Sequence, residues 1–489
     1  MTALTPLQAT KYRLAHYYCD KLQRASAAIR RGPGNREYWL RIIQHDWEQV
    51  KEQQSWSASG QGIDSDRARL CAAFAVATAD IMRVQLTPSE QLAWVQQALA
   101  AARAIHDIES ELNLLYQASF LGLTLETPDS AEDYGNQLFV RAQAAQNDLG
   151  LGRAQFILGA TDFVRGDYDK AEEGLRRCIE PLRRCDAINE MGQAWLGLGR
   201  IANVRGDYQQ ARAYYLEYLN TAIATDHQQA ELEARMSLSG AYLATNDLET
   251  AQTYAQEALK MARSLGITRF LPPALLSLAH VEKAQSRLDN ACEHYEEAIK
   301  IARAMSAPSV IVNGLHGLGQ ARATQDDYTA ALVHFEEALG IAREARYLLR
   351  LCEVAHDMVF VHVKEGDLEA AYDRLADALD SAKQLGTPYF MAKAVASAVV
   401  LWQSLGEYEQ AAQWAGLLAN DLSLLPPSLF DDAVYEQLEH NLGPERYHRA
   451  LEQGGTLTLE DVTEEIANLL ENAVHAMARH HNRTNFARR

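Results

Sequence analysis

Seven short phrases recur along this chain at one fixed interval, and they constrain its fold more than any other feature. RGDYDKA, RGDYQQA, TNDLETA, SRLDNA, QDDYTAA, EGDLEAA and GEYEQAA put a turn residue at Gly166, Gly206, Asn246, Ser286, Asp326, Gly366 and Gly406, a step of 40 residues without an insertion. A period of this size marks an array that stacks one supersecondary unit on copies of itself. The length of 489 residues, too great for one compact core, is accommodated in the same way.

The phrases have a mechanical reading. A residue tolerant of left-handed backbone ends one helix, and an acid then caps the next. Asp167, Asp207, Asp247, Asp327 and Asp367 hold the cap position, with Glu407 and Arg287 as weaker occupants. Four residues past the cap every unit has alanine (Ala171, Ala211, Ala251, Ala291, Ala331, Ala371, Ala411), which lets two helices approach closely. In the preceding helix Leu158, Leu198, Leu238, Leu278 and Leu318 form a column, each followed by Gly, Ser or Ala. Downstream, Ala258, Ala298, Ala338 and Ala378 make another column, and Ala222, Ala262, Ala302, Ala342 and Ala382 a third. Large, small and turn residues thus recur at the offsets of a helix, turn, helix unit, and the expected class is all-α.

These columns resemble the tetratricopeptide repeat, whose pattern Trp195, Leu198, Gly199, Ala211 and Tyr215 match in one unit. The unit here is longer than the usual ~34 residues. The resemblance implies a right-handed superhelix, an α-solenoid of helical hairpins, with seven repeats over residues 147–425. Residues 61–146 keep helical patterning without the turn phrase and read as degenerate repeats. Residues 1–60, in which Trp39, Ile42, Ile43, Trp47 and Val50 share one face, read as an N-terminal helical cap. After Pro426 and Pro427, residues 426–472 read as a C-terminal cap in which Thr458 and Asp461 form a capping-box-like pair. Residues 473–489, with Arg479, Arg483, Arg488 and Arg489, read as a basic flexible tail.

A second resemblance lies in the phrases YWLRIIQHDWEQVKEQ and RYHRALEQGGTLTLEDVTEEIANLL. They look like the two ends of the helical-repeat sensor half of bacterial signal-transduction ATPases with numerous domains, the regulators related to the maltose-regulon activator. The sequence has no G-x-x-x-x-G-K-[ST], so the resemblance extends to the sensor and not to nucleotide chemistry. It implies a regulatory setting, with an ATPase or effector encoded nearby as a partner.

Several function classes are disfavoured. Acidic residues number 65 against 46 basic ones, a net charge of −19, which does not suit general phosphate binding. No long apolar run and no signal-peptide pattern occurs, so the expected compartment is the cytoplasm, with no membrane association. The six cysteines have no C-x-x-C pair and read as small core residues, so neither a metal nor a disulfide framework is expected. Gly197-Leu-Gly199 and Gly317-Leu-Gly319 mimic part of a dinucleotide fingerprint, but they fall inside helices, where small residues serve packing. No nucleophile phrase stands beside a base, and neither catalysis nor a cofactor is expected.

The remaining candidates are polar residues on the first helix of each unit, which repeats of this kind turn inward: Arg200, Asn203, His280, Lys283, Asn313, His316, Gln320 and His356. Asn313, His316 and Gln320 stand at i, i+3 and i+7 and so share one helix face. The expected function is a non-enzymatic interaction scaffold or sensor that binds a protein or peptide in the concave groove and acts in signalling, transcriptional regulation or defence. The alternative is a nucleic-acid-associated regulatory subunit using the basic termini, since residues 1–52 carry nine Lys/Arg against five Asp/Glu.

Overall fold

The computed structural model describes residues 5–30, 36–59, 65–125, 127–266, 268–420 and 432–471, and among these every regular element is helical, with no strand. The proline break at 426–427 and the arginine-bearing tail lie outside the described residues. Two compact units divide the chain. One holds the described residues up to Ala202 together with Ala213–Glu231. The other takes Asn203–Arg212 and the described residues from Leu232 onward.

The first unit starts with α1 (Pro6–Arg30), α2 (Arg36–His45) and α3 (Trp47–Ala58). The stretch whose apolar residues read as sharing one face is thus two helices, parted at Asp46. The Asp46 carboxylate is held by Lys21 and lies 2.9 Å from His45 Nδ1. Ile43, Trp47 and Val50 are buried against α1 and α4 (Ser65–Gln85), and Trp47 stacks on Trp94 at 5.7 Å. Hairpins follow: α5 (Pro88–Ala104), α6 (Ile108–Thr124), α7 (Pro128–Ala144), α8 (Asp148–Val164), α9 (Tyr168–Arg184) and α10 (Ile188–Val204), then α11 (Tyr208–Ala224).

The second unit is built from α12 (Gln228–Ala244), α13 (Leu248–Leu265), α14 (Leu271–Ala284), α15 (Leu288–Ala304), α16 (Pro308–Thr324), α17 (Tyr328–Glu344), α18 (Leu348–Glu365), α19 (Leu368–Leu385), α20 (Pro388–Ser404) and α21 (Tyr408–Asn420). The helices α22 (Asp432–Leu442), α23 (Pro444–Gly454) and α24, over 459–471, close it. Gly416 lies against the Leu451 backbone, and Trp414 Nε1 donates to Glu465 at 3.1 Å, so α21 is covered by α23 and α24. Thr458 Oγ1 accepts from Asp461 N at 3.1 Å and caps α24.

All seven turn residues of the phrases have positive φ, from 58° at Asn246 to 85° at Gly406. After six of the seven turns the next amide closes a six-residue loop onto the helix just ended, as Asp167 N does to Asp162 O at 2.9 Å and Asp367 N to His362 O at 2.9 Å. The acidic caps then satisfy the following helix: Asp167, Asp207, Asp247, Asp327 and Asp367 each accept from the amide three residues on, whereas Arg287 makes no such bond. A second series of positive-φ residues falls midway between the first: Gln146, Asp186, Asp226, Gly266, Ser306, Arg346 and Gly386. Every 40-residue unit is therefore two near-equal helices with near-identical turns.

The alanines of the first column, Ala171 to Ala411, are all fully buried, as are Ala258, Ala298, Ala338 and Ala378. Leu198, Leu238, Leu278 and Leu318 are buried too, while Leu158 is only partly so. Where the residue after the leucine is glycine there is a direct steric cause, because a Cβ at Gly199 would sit 2.4 Å from the Tyr215 ring and one at Gly319 2.4 Å from Phe335. Gly197 and Gly317 similarly receive Leu175 and Tyr295, which accounts for both fingerprint-like phrases. Five cysteines are buried as expected, but Cys185 is exposed because it ends α9 instead of facing the core.

Within each unit the first helices of successive hairpins touch one another: α4 with α6 and α6 with α8, then α14 with α16, α16 with α18 and α18 with α20. Closer spacing of these helices makes theirs the inner wall.

Candidate binding wall in the second unit

The inner wall from α14 to α20 carries a cluster of polar side chains. Packing of adjacent first helices brings residues about one repeat apart into contact. His316 Nε2 on α16 donates to Asp357 Oδ2 on α18 at 2.6 Å, and Gln320 Nε2 donates to the same oxygen at 2.6 Å. The Lys283 ammonium on α14 donates a hydrogen bond to Gln320 Oε1. One turn away, the Tyr295 hydroxyl pairs with His280 Nδ1 at 2.6 Å. On the other side, His356 Nδ1 and Ser397 Oγ on α20 share a hydrogen bond of 2.6 Å. Arg350 is paired to Glu353 at 2.5 Å along α18.

Electrostatics follow from this enclosure. Burial pushes the His356 imidazole down to about 3, with the charge of Lys393 acting the same way, so it is neutral across the physiological range. Burial also lowers His280, aided by Lys283. Burial alone would raise Asp357, but the hydrogen bond from His316 and the charge of Lys393 outweigh it and hold the carboxyl far below its usual range. Lys283 is lowered by burial, which Asp357 opposes, whereas in Lys393 the attraction of Asp357 and Glu353 overcomes burial and raises the ammonium.

The eight residues singled out by sequence do not behave alike. His280, Lys283, His316, Gln320 and His356 join the cluster, and Asn313 stands one helical turn from His316 on α16. Arg200 and Asn203 are exposed on α10, and Arg200 lies in the first unit. His316 and His356 are more enclosed than groove-lining residues were expected to be, at 8% and 5% exposure, because each bridges to the next inner helix. Asn313 keeps a buried Oδ1 without a hydrogen-bond partner. Asp357, Arg350, Glu353, Lys393 and Ser397 were not singled out. For two of them a signal existed, since Asn313, Glu353 and Lys393 follow one another at 40-residue steps. The Ser397 and His356 pair resembles a nucleophile beside a base, but Ser397 is fully buried, so no substrate reaches it. No group of three His, Cys, Asp or Glu side chains among the described residues is placed to hold a metal ion.

The geometry agrees with comparisons to known proteins. The family model of the MalT-like TPR region matches residues 145–293, and that of the tetratricopeptide repeat matches residues 271–344. Residues 145–344 are thus similar to tetratricopeptide repeats, and the first part of that stretch to the MalT-like TPR region. No curated protein matches this sequence significantly. Among solved structures, a Rap protein complexed with competence and sporulation factor is 14% identical, with 77% of this chain aligned to 99% of that one at a TM-score of 0.50. BtubC from P. vanneervenii is 20% identical over 45% of this chain and 92% of its own, with a TM-score of 0.40. A signal transduction ATPase with numerous domains and a tetratricopeptide repeat sensor, from Pyrococcus horikoshii, is 15% identical, with 83% of this chain covered and a TM-score of 0.48. The match spans 57% of that ATPase. At 14% identity, what is shared with the Rap protein is the fold alone. No helix among the described residues is long and apolar enough to cross a membrane.

Proposed function

We propose that this protein is a non-catalytic sensor or scaffold that holds a protein or peptide against the inner wall of its second unit and passes that state to a regulatory partner. The observation that carries the reading is the polar cluster on that wall, where Lys283, His316, Gln320 and Asp357 are linked across α14, α16 and α18 while Asn313 Oδ1 is left buried without a hydrogen bond. A buried acceptor left unpaired costs on the order of 1–3 kcal/mol, a cost that a ligand's donor offsets once a change of the Asn313 rotamer brings its Oδ1 to the surface of the wall. An ATPase or effector encoded nearby is the proposed partner, and the cytoplasm the proposed compartment.

The second helices supply the control surface. Glu257, Glu296, Glu297, Glu336 and Glu337 are exposed there and suit a solvated outer face. The test is capture of a partner from native lysate on the full chain, then calorimetry with the recovered partner. Asn313→Ala and Gln320→Ala are expected to weaken binding by about tenfold or more, and Glu297→Ala and Glu337→Ala to leave it unchanged. Binding that follows the outer glutamates or the basic termini would overturn the reading and favour the nucleic-acid alternative where nuclease treatment abolishes it.

A further inference from the structure

The helix α1 carries two apolar stripes and packs with one of them. Ala15, Cys19 and Leu22 are buried with Ile43, Trp47, Val50 and Phe74 in the core at the start of the first unit. On the other stripe Leu7 is 69% exposed, Leu14 40% and Tyr17 56%. At 3.6 residues per turn these three fall within about 80° of one another. Exposure of that size belongs to side chains that project, not to the floor of a groove. Basic residues border the stripe on both sides, since Lys11 follows Leu7 round the helix, and Arg24 and Arg13 come next after Tyr17. All three are exposed, and none makes an ion pair among the described residues. Lys21, inside the stripe, is turned to Asp46 and stands 5.8 Å over the Tyr17 ring. The whole helix has five Lys or Arg against the single Asp20, in a chain of net charge −19.

We infer that α1 attaches the protein to an anionic lipid surface and lies along it, with Leu7, Leu14 and Tyr17 at the boundary of the acyl chains and Lys11, Arg13 and Arg24 on headgroup phosphates. An apolar centre with basic borders is the pattern of a helix that adsorbs in the plane of the interface. Nucleic acid would engage the three cations and leave two leucines in water. A protein partner would need a cleft to receive a projecting ridge, whereas a lipid surface yields around it. No spanning helix is required, because adsorption uses one face of one helix and is reversible. The acidic remainder of the chain is repelled by the same surface, so attachment runs through α1 and sets the orientation of the bound protein. This attachment is separate from the binding proposed for the inner wall.

The experiment is co-sedimentation of the full chain with vesicles of phosphatidylcholine alone and of equal parts phosphatidylcholine and phosphatidylglycerol. The chain is expected to pellet with the mixed vesicles and to stay in solution with the neutral ones. Lys11→Glu combined with Arg13→Glu is expected to weaken binding to the mixed vesicles at least about tenfold. Leu7→Ser combined with Leu14→Ser keeps every charge and is expected to weaken it at least about fivefold. Gln320→Ala on the inner wall is expected to change nothing, so failure of this attachment and failure of the inner-wall reading are told apart. All four altered side chains of α1 are exposed, and thermal unfolding confirms that the variants are folded. Absence of pelleting with the mixed vesicles overturns the attachment, and so does pelleting that ignores the two leucines, which would reduce it to charge alone. With vesicle binding absent, a shift of DNA that Lys11→Glu with Arg13→Glu abolishes would assign the face to nucleic acid. A dimer in sedimentation equilibrium that Leu7→Ser with Leu14→Ser dissolves would instead assign it to a second copy of the chain.

Discussion

His316 and Asp357, separated by 41 residues in sequence, meet across the boundary between two repeats with 2.6 Å between Nε2 and Oδ2. Gln320 reaches the same oxygen, so one carboxylate ties two residues of α16 to α18. Asp357→Asn keeps the shape and removes the charge, leaving Lys393 with less compensation. It is expected to cost about 2 kcal/mol in urea unfolding. A cost near zero would show that the tie is loose in solution. The same tie means that His316→Ala lowers stability as well as any binding it supports, so His316 is a poor probe of the groove.

Acid is expected to destabilise the second unit from moderately low pH. The folded His356 imidazole sits near about 3 against an ordinary 6.5, so the unfolded chain takes up a proton first as pH falls. The stability it contributes is complete above about 6.5 and is lost progressively down to about 3. The groups facing it, Lys393, Asp357 and His316, do not reverse that sign. Asp357, held below its ordinary 3.8, adds a further loss as pH falls through that value. Melting temperature against pH is the measurement, and His356→Gln is expected to flatten the slope between pH 6.5 and 4; an unchanged slope excludes His356 as its source.

Two glycine pairs give opposite signs for the same substitution. Gly319→Ala drives a methyl to 2.4 Å from the Phe335 ring and is expected to cost about 1–3 kcal/mol, with Gly199→Ala against Tyr215 behaving alike. Gly240 and Gly340 lie inside α12 and α17 with nothing within 4 Å of the added methyl. Their change to alanine is expected to gain about 0.5–1 kcal/mol through helix propensity. Equal effects at the two classes would refute the close approach of paired helices.

Leu198→Ala and Leu278→Ala empty sites that are 1% and 5% exposed, and each is expected to cost about 2–5 kcal/mol. Guanidinium titration of the single variants decides it. Costs of a few tenths would mean that the leucine column does not face its partner helix.

The repeat was readable because turn, cap and packing column each demand a particular residue type. Gly or Asn relieves a left-handed backbone, an acid accepts an amide, and Ala or Gly admits a neighbouring ring. The intervening turns were not readable, because Gln146, Asp186, Ser306 and Arg346 share no side-chain chemistry and are held by backbone bonds alone. Five of the eight polar residues chosen for the inner wall do lie together, since inward direction follows from helical phase. Asp357 escaped notice because it occupies the place held by Gly317 and Gly197 in other repeats, where an acid reads as a variant of a packing position. Lys393 was hidden by distance, two repeats beyond the Asn313 whose column it shares.

The two interleaved series of left-handed turns set a ruler inside the chain. From Gln146 to Gly406 a left-handed residue returns every 20 positions, and between these marks the connections have no spare length. A protein with such a ruler is editable only in whole strokes. Excising 40 residues between equivalent turns rejoins like with like and shortens the wall by one hairpin. Excising 20 also rejoins two compatible turns, but every helix beyond the cut then changes place between inner and outer wall, and the glutamates meant for water face the lysines.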